Sequence, residues 1–142
     1  MRHLNSHNYY TRERDTALEK AYRHLIGEAK EVFLPDIFDR LVSLPAERFY
    51  VSEERATIVV NMISKGDDLS SMLPLRRSMY MEIYQRVCRL RALHPDMSVS
   101  QAVSEVVSSP APSFYITPKS ANVIISRIRC RKRHIAAMPP SR

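Results

Sequence analysis

The amino-acid sequence predicts an all-α protein made of two tandem three-helix units that arose by internal duplication and pack as one compact six-helix molecule. Three observations predict this fold. The segment Asp36 to Ile63 aligns without gaps with the segment Gln101 to Ile128, apolar residues recur at helical spacing in both halves, and the 142 residues include only 2 glycines. Hairpin-rich β structure would need more glycine at its tight turns.

The repeat is the strongest of these observations. Eight of the 28 aligned pairs are identical, and they cluster on turn residues and apolar residues. The identical pairs are Val42/Val107, Ser43/Ser108, Pro45/Pro110, Ala46/Ala111, Phe49/Phe114, Tyr50/Tyr115, Ala56/Ala121 and Ile63/Ile128. A duplication explains this pattern better than chance does.

The first helix of each unit is long. Helical spacing of apolar residues predicts it over residues 11–33 and again over residues 77–93, with Tyr22 facing Tyr84 after a small shift in the alignment. The apolar stripes comprise Leu18, Ala21, Tyr22, Leu25 and Ala29 in the first copy, and Tyr80, Ile83, Tyr84, Val87, Leu90 and Cys88 in the second. Pro35 and Pro95 are expected to end these helices, because proline disfavours the helical conformation of the residue before it.

Two shorter helices complete each unit. The second helix is predicted over residues 36–44 and 99–108, with Asp36 and Ser98 as N-caps. A shared turn with Pro-Ala and Phe-Tyr follows, and Ser52 and Thr117 are suited to cap a third helix over residues 53–64 and 118–133. This order is that of a helix-turn-helix-like unit, with a loop longer than the usual 3–4 residues.

The Phe-Tyr pair of each turn has two interpretations. Aromatic side chains that close a turn over a small core are common, and this interpretation makes Phe49-Tyr50 and Phe114-Tyr115 equivalent core plugs. Aromatic rings between basic residues can also stack on nucleic-acid bases. Because the pair occurs in the acidic half as well as in the basic half, we favour the core plug.

The repeated turn also resembles a short motif of other proteins. The second copy reads PAPSFYIT and the first reads PAERFYVS, with a departure at Glu47. The second copy is similar to a PAPxFY[VI][ST] motif of short uncharacterised bacterial proteins of Bacteroidetes type. This resemblance covers about 20 residues of each copy and implies no activity.

Charge divides the chain into a mildly acidic unit, residues 1–71, and a strongly basic unit, residues 72–142. The first unit carries 10 Lys/Arg and 12 Asp/Glu, a net charge of −2, and the second carries 12 Lys/Arg and 3 Asp/Glu, a net charge of +9. Such asymmetry points to a polyanionic partner on one side of the molecule.

The third helix of the second unit gathers the residues that suit such a partner. Lys119, Asn122, Ser126, Arg129 and Arg133 fall within an arc of about 80° at 100° per residue, away from the predicted apolar stripe of Ala121, Ile124, Ile125 and Ile128. Major-groove readout uses such a face, because Arg can pair with guanine and Asn with adenine while the other groups hold phosphates. In the first copy the corresponding positions are Glu54, Thr57, Asn61 and Ser64.

A dense basic run continues this helix. It comprises Arg127, Arg129, Arg131, Lys132 and Arg133, and no Asp or Glu follows Glu105. We expect the run to bind phosphates, and a basic C-terminal tail that only aids solubility is the alternative. Arg86 and Arg89 on the preceding long helix are expected to extend the footprint, with Arg76, Arg77 and Arg91 nearby.

Enzymatic motifs are missing from the sequence. It has no Gly-rich phosphate loop, no G-x-S-x-G and no H-E-x-x-H, and its 5 histidines are scattered without a metal-ligand pattern. We therefore expect a non-enzymatic protein with no catalytic, metal or cofactor site. Cys88 and Cys130 are expected to be reduced thiols, and the N-terminus lacks the apolar region of a signal peptide, so we expect a cytoplasmic location and no membrane partner.

These observations favour a small cytoplasmic nucleic-acid-binding protein that uses the basic third helix, with DNA preferred over RNA and the acidic unit available to a protein partner. The alternative is a helical interaction or assembly protein, such as an adaptor, an accessory subunit, or a phage or mobile-element component. In that alternative the basic face docks on an acidic or nucleoprotein partner. The sequence leaves the oligomeric state open.

Overall fold

The computed structural model describes residues 3–137, with side chains from residue 10 onward, and this part of the chain is all-helical. The six helices are α1 (His3–Glu28), α2 (Leu34–Ser43), α3 (Glu53–Ser64), α4 (Pro74–Leu93), α5 (Val99–Val107) and α6 (Pro118–Ala137). Within the described residues no strand forms, and an isolated antiparallel bridge joins Ala46 to Ala111. The all-α prediction is confirmed.

Three of the six helices begin at the predicted caps. The side chain of Ser52 accepts a hydrogen bond from the N–H of Arg55, and Thr117 Oγ1 accepts one from the N–H of Ser120. Ser98 forms a full capping box with Gln101, because each side chain satisfies the other's backbone N–H.

The prediction of Asp36 as an N-cap is wrong. Phe33 is the N-cap of α2, with no side-chain hydrogen bond, and Pro35 lies in the first turn of that helix. Proline is tolerated there because the first backbone N–H groups of a helix have no intrahelical acceptor. Pro35 therefore helps to begin α2 and does not end α1, which already ends at Glu28.

The helices pack in two groups of three, or trios, and each trio contains helices from both halves of the sequence. One trio consists of α1, α2 and α6, and the other consists of α3, α4 and α5. The third helix of each predicted unit thus packs on the first two helices of the other unit. Among the described residues, α2 and α3 make no helix–helix contact, so the expected helix-turn-helix-like neighbours lie apart.

The two repeated turns, residues 45–51 and 110–116, contact each other between the two trios. Ala46 and Ala111 exchange both backbone hydrogen bonds, with N–O distances of 3.0 and 2.9 Å. The ring of Phe49 stacks on Tyr115 and that of Tyr50 stacks on Phe114, each pair with its centroids 6.1 Å apart. The aligned residues of the two segments therefore contact each other reciprocally.

The core confirms the two phenylalanines as plugs, whereas Tyr50 and Tyr115 are half-buried at its edge. The core also corrects one apolar stripe. Phe49 is 1% exposed and Phe114 is 7% exposed, in one continuous apolar cluster with the stripes of the six helices. Cys88, which was predicted at the edge of the stripe of α4, is exposed instead. Both Cys88 and Cys130 are free thiols.

Candidate nucleic-acid interface

Helix α6 lies against α1 and α2 and presents the predicted polar arc to solvent. Ala121 and Ile125 are buried on its inner side, and Ile124 and Ile128 are half-buried beside them. All eight predicted binding residues on α6 are exposed: Lys119, Asn122, Ser126, Arg127, Arg129, Arg131, Lys132 and Arg133. The helix continues to Ala137, so the whole basic run is helical and has a defined spacing.

Two cations of the run hold α6 in place. Lys132 Nζ lies 2.6 Å from Glu19 Oε2 on α1, and the Glu19 residue is buried. Arg129 donates a hydrogen bond of 3.2 Å to Tyr22 Oη, and its guanidinium group lies 5.9 Å from the centroid of the Tyr22 ring. These two residues therefore stabilise the packing of α6 on α1 and fix its orientation.

The other cations of α6 are unpaired among the described residues. Lys119, Arg127, Arg131 and Arg133 form no ion pair there. Ser126 donates a 3.1 Å hydrogen bond to Asn122 Oδ1, one turn earlier on the same face. The exposed face of α6 thus combines unpaired cations with one hydroxyl and one amide group.

Helix α1 adds two arginines to the borders of this face, although it belongs to the acidic half of the sequence. Arg14 lines a recess together with Lys119 and Arg127, and Arg23 lines a recess together with Arg133. No spacing pattern in the sequence points to these neighbours, because they come from a helix more than 100 residues away. The basic surface is therefore a composite of both repeats.

The arginines of α4 do not extend this surface as expected. Arg86 is committed to the junction: its guanidinium group donates to the carbonyl of Pro110 at 2.7 Å, pairs with Glu82 at 2.8 Å, and lies 5.1 Å from the Phe49 ring centroid. Arg89 is exposed, but α4 and α6 make no contact in the described part of the chain. The structure therefore does not bring Arg89 onto the α6 face.

Helix α3 presents a different surface at the corresponding positions. Glu53 and Glu54 are exposed in its first turn, where carboxylates are stabilised by the helix dipole. Glu53 also accepts a 2.9 Å hydrogen bond from Ser104 of α5. The two third helices are thus equivalent in the repeat but opposite in charge where each begins.

A second group of arginines surrounds a cavity between the two trios. Arg14, Arg48, Arg55 and Arg76 line this cavity, whose volume is about 310 Å³. They belong to α1, to the first repeated turn, to α3 and to α4. Sequence reasoning missed this group, because four single arginines on four elements have no common spacing.

No helix in the described range is long and apolar enough to cross a membrane. In that same range, no cluster of three His, Cys, Asp or Glu side chains is arranged to hold a metal ion. No protein-family model matches this chain, and comparisons with curated proteins and with solved structures gave no match.

Proposed function

We propose that this protein binds nucleic acid, and duplex DNA in particular, through the exposed face of α6. The observation that carries the proposal is the set of four unpaired cations on this face, Lys119, Arg127, Arg131 and Arg133. Paired surface cations gain little by exchanging a carboxylate for a phosphate, whereas unpaired cations release counterions from DNA when they bind.

The polar residues of the face have a separate role in the proposal. An Asn side chain can form two hydrogen bonds with the edge of adenine in the major groove. Asn122 lies in the first half of α6, and the N-terminal part of a recognition helix is the part that contacts base edges. In this arrangement Asn122 and Ser126 would contact bases, and Arg133 of the same arc would hold a nearby phosphate. Arg127 and Arg131 lie about 100–180° around the helix from these two residues, so they would hold phosphates of the flanking backbone.

The packing of each third helix on the first two helices of the other half also has a role in this proposal. We propose that the trio of α1, α2 and α6 is a composite trihelical unit, in which a duplicated chain supplies the third helix from its other copy. The reciprocal contacts of the two repeated turns support this interpretation. Lys132 and Arg129 then position α6 on α1, in the way that a supporting helix positions a recognition helix.

The alternative is a helical assembly protein whose two third helices dock on different partners. The opposite charges of the α3 and α6 surfaces favour this function, because one scaffold then offers one acidic and one basic face. Three consecutive exposed apolar residues at the start of α2, Val32, Phe33 and Leu34, add a surface suited to protein contact.

Fluorescence anisotropy with salt titration tests the first proposal. The triple variant Arg127→Gln/Arg131→Gln/Arg133→Gln removes three unpaired cations and leaves Arg129 and Lys132 in place, so α6 should stay docked. The probes are a duplex DNA, a single-stranded DNA and a structured RNA. We expect the triple variant to reduce the magnitude of the log–log salt slope on duplex DNA by about 3, because each lost phosphate contact contributes about 0.9.

A control variant removes the same charge from another surface. Lys30→Gln/Arg40→Gln/Lys65→Gln changes three exposed cations, of which Lys30 and Arg40 line a recess with four carboxylate side chains. This control should retain the wild-type slope. Equal binding by wild type and the α6 variant would refute the proposal, and no binding to any probe at about 50 mM salt would favour the assembly function.

A further inference from the structure

The cavity between the two trios has the composition of an anion site. Its wall includes Arg14, Arg48, Arg55 and Arg76, and no Asp or Glu among the described residues lines it. Its volume of about 310 Å³ is at the lower end of the roughly 300–1,000 Å³ that small-molecule pockets occupy. The cavity thus suits a small ligand or the end of a chain.

The four guanidinium groups differ in the partners that they already have within the protein. Arg14 pairs with Asp15 at 2.9 Å, and Arg48 donates to the carbonyl of Phe49 at 3.1 Å. Arg55 and Arg76 are exposed and form no ion pair with any described residue. Arg55 and Arg76 therefore have no carboxylate partner, although Arg55 hydrogen-bonds with the side chain of Tyr80, and the other two arginines add positive potential.

Tyrosine hydroxyls supply further hydrogen-bond donors. Burial raises the pKa of Tyr80 above the ordinary value for tyrosine, although the positive charges of Arg55 and Arg76 act in the opposite direction. Burial likewise raises the pKa of Tyr115, with a further contribution from Glu82. Both hydroxyls therefore stay protonated at neutral pH, and both residues line the cavity.

The wall of the cavity also holds a strained residue. Tyr115 has a φ of 55°, a left-handed conformation that residues other than glycine adopt uncommonly. Ser113 Oγ accepts a 3.1 Å hydrogen bond from the N–H of Tyr115, and the Tyr115 ring stacks on Phe49. Residues held in such conformations cluster at ligand sites, where the surrounding structure maintains them.

We propose that this cavity binds a phosphate monoester, either that of a free nucleotide or that at the end of a nucleic-acid strand. A phosphate monoester carries nearly two negative charges near pH 7 and offers three strong acceptor oxygens. Planar guanidinium groups match these oxygens with paired hydrogen bonds. A continuous duplex is too large for the cavity and has only singly charged diesters, so the α6 face and the cavity bind different phosphate groups.

Isothermal titration calorimetry with adenosine 5′-monophosphate, inorganic phosphate and adenosine tests the site. The variant Arg55→Gln/Arg76→Gln removes the two unpaired arginines, and neither residue has an ion pair whose loss would affect folding. We expect the monophosphate to bind, adenosine not to bind, and the variant to weaken monophosphate binding at least tenfold. Circular dichroism of the variant verifies that it is folded.

The control variant is Lys65→Gln/Arg89→Gln, which has the same change in charge. Lys65 follows the C-terminal end of α3, about 15 Å along the helix from Arg55, and Arg89 is about 20 Å along α4 from Arg76. This control should bind the monophosphate as wild type does. Equal affinity of the Arg55/Arg76 variant and wild type, or equal binding of adenosine and its monophosphate, would overturn the proposal.

Two oligonucleotide arms distinguish the sources of the phosphate. A single strand with a 5′-phosphate that binds more tightly than the same strand with a 5′-hydroxyl supports a strand end, and equal binding of the two strands, with the free monophosphate still bound, supports a nucleotide. The α6 triple variant should bind the monophosphate normally. The Arg55/Arg76 variant should in turn bind a 5′-hydroxyl duplex normally, so failure of the cavity site and failure of the α6 face are separable.

Discussion

Cutting the chain between residues 71 and 72 should give two fragments that do not fold as monomers but assemble when mixed. In the structure α3 packs on α4 and α5, and α6 packs on α1 and α2, so each fragment lacks the helix that completes its trio. A tandem arrangement predicts the opposite result, because each fragment would then contain a complete three-helix unit.

The magnitude follows from the side chains that the cut would expose. Phe49, Phe114, Val59, Val60 and Ile125 are buried, and they lie on the repeated turns and third helices that meet the other fragment. Full burial of one such side chain contributes about 1.5–3 kcal/mol, so the five contribute on the order of 10 kcal/mol. This equals the whole free energy of unfolding of a typical domain, about 5–15 kcal/mol.

The assay is circular dichroism with urea titration at micromolar concentration, together with size-exclusion chromatography. Each fragment alone should have a low helix content, or should form a concentration-dependent homodimer in which the equivalent third helices exchange. The equimolar mixture should recover the ellipticity of the intact chain and a cooperative unfolding transition. A fragment that unfolds cooperatively as a monomer would refute the exchanged packing.

Three further predictions concern single groups. Arg86→Gln should lower the free energy of unfolding by about 2 kcal/mol, because a hydrogen bond from a charged donor to the carbonyl of Pro110 is lost; urea unfolding measures this, and unchanged stability would show that the bond is dispensable. Lys132→Gln should lower the free energy of unfolding more in the wild-type protein than in a Glu19→Gln background, because the single variant leaves a buried carboxylate without its closest partner. Urea unfolding of the double-mutant cycle measures this, and additive effects would contradict the pairing. Monophosphate affinity should rise between pH 5 and pH 7, because the phosphate loses its second proton near pH 6 while arginine stays charged; a flat calorimetric profile would indicate that the cavity does not require the dianion.

The helices with strong local signals were predictable from the sequence. The bounds of α3 follow from the Ser52 cap and from apolar spacing, and α5 begins at the capping box of Ser98 and Gln101. Helix α6 extends beyond the predicted end, to Ala137, because no glycine or proline interrupts the basic run. The start of α2 was predicted incorrectly, because Asp36 and Pro35 both fit a helix start and the sequence alone does not rank them.

The pairing of helices was not predictable by the same means. The two aligned segments have nearly the same apolar pattern, so the pattern alone does not show on which pair of helices α3 will pack. Which helices α3 and α6 contact depends on the turns of residues 45–51 and 110–116. These turns are joined by backbone hydrogen bonds and stacked rings, and each of them connects a helix of one trio to a helix of the other. Local periodicity contains no information on which of two equivalent faces a helix will cover.

Both proposed sites depend on the packing of α3 and α6 on helices of the other half of the sequence. The cavity places Arg55 of the first copy next to Arg76 and Tyr80 of the second, because α3 lies on α4. The α6 face acquires its supporting contacts, Lys132 to Glu19 and Arg129 to Tyr22, because α6 lies on α1. At the position equivalent to Arg55 the second copy has Ser120, and at the position equivalent to Lys119 the first copy has Glu54. At these two pairs of aligned positions, the first copy has its cation at the cavity and the second copy has its cation on the α6 face. Identical residues at these positions would place the same charges on both third helices, so the differences between the two aligned segments separate a basic helix face from an arginine-lined cavity.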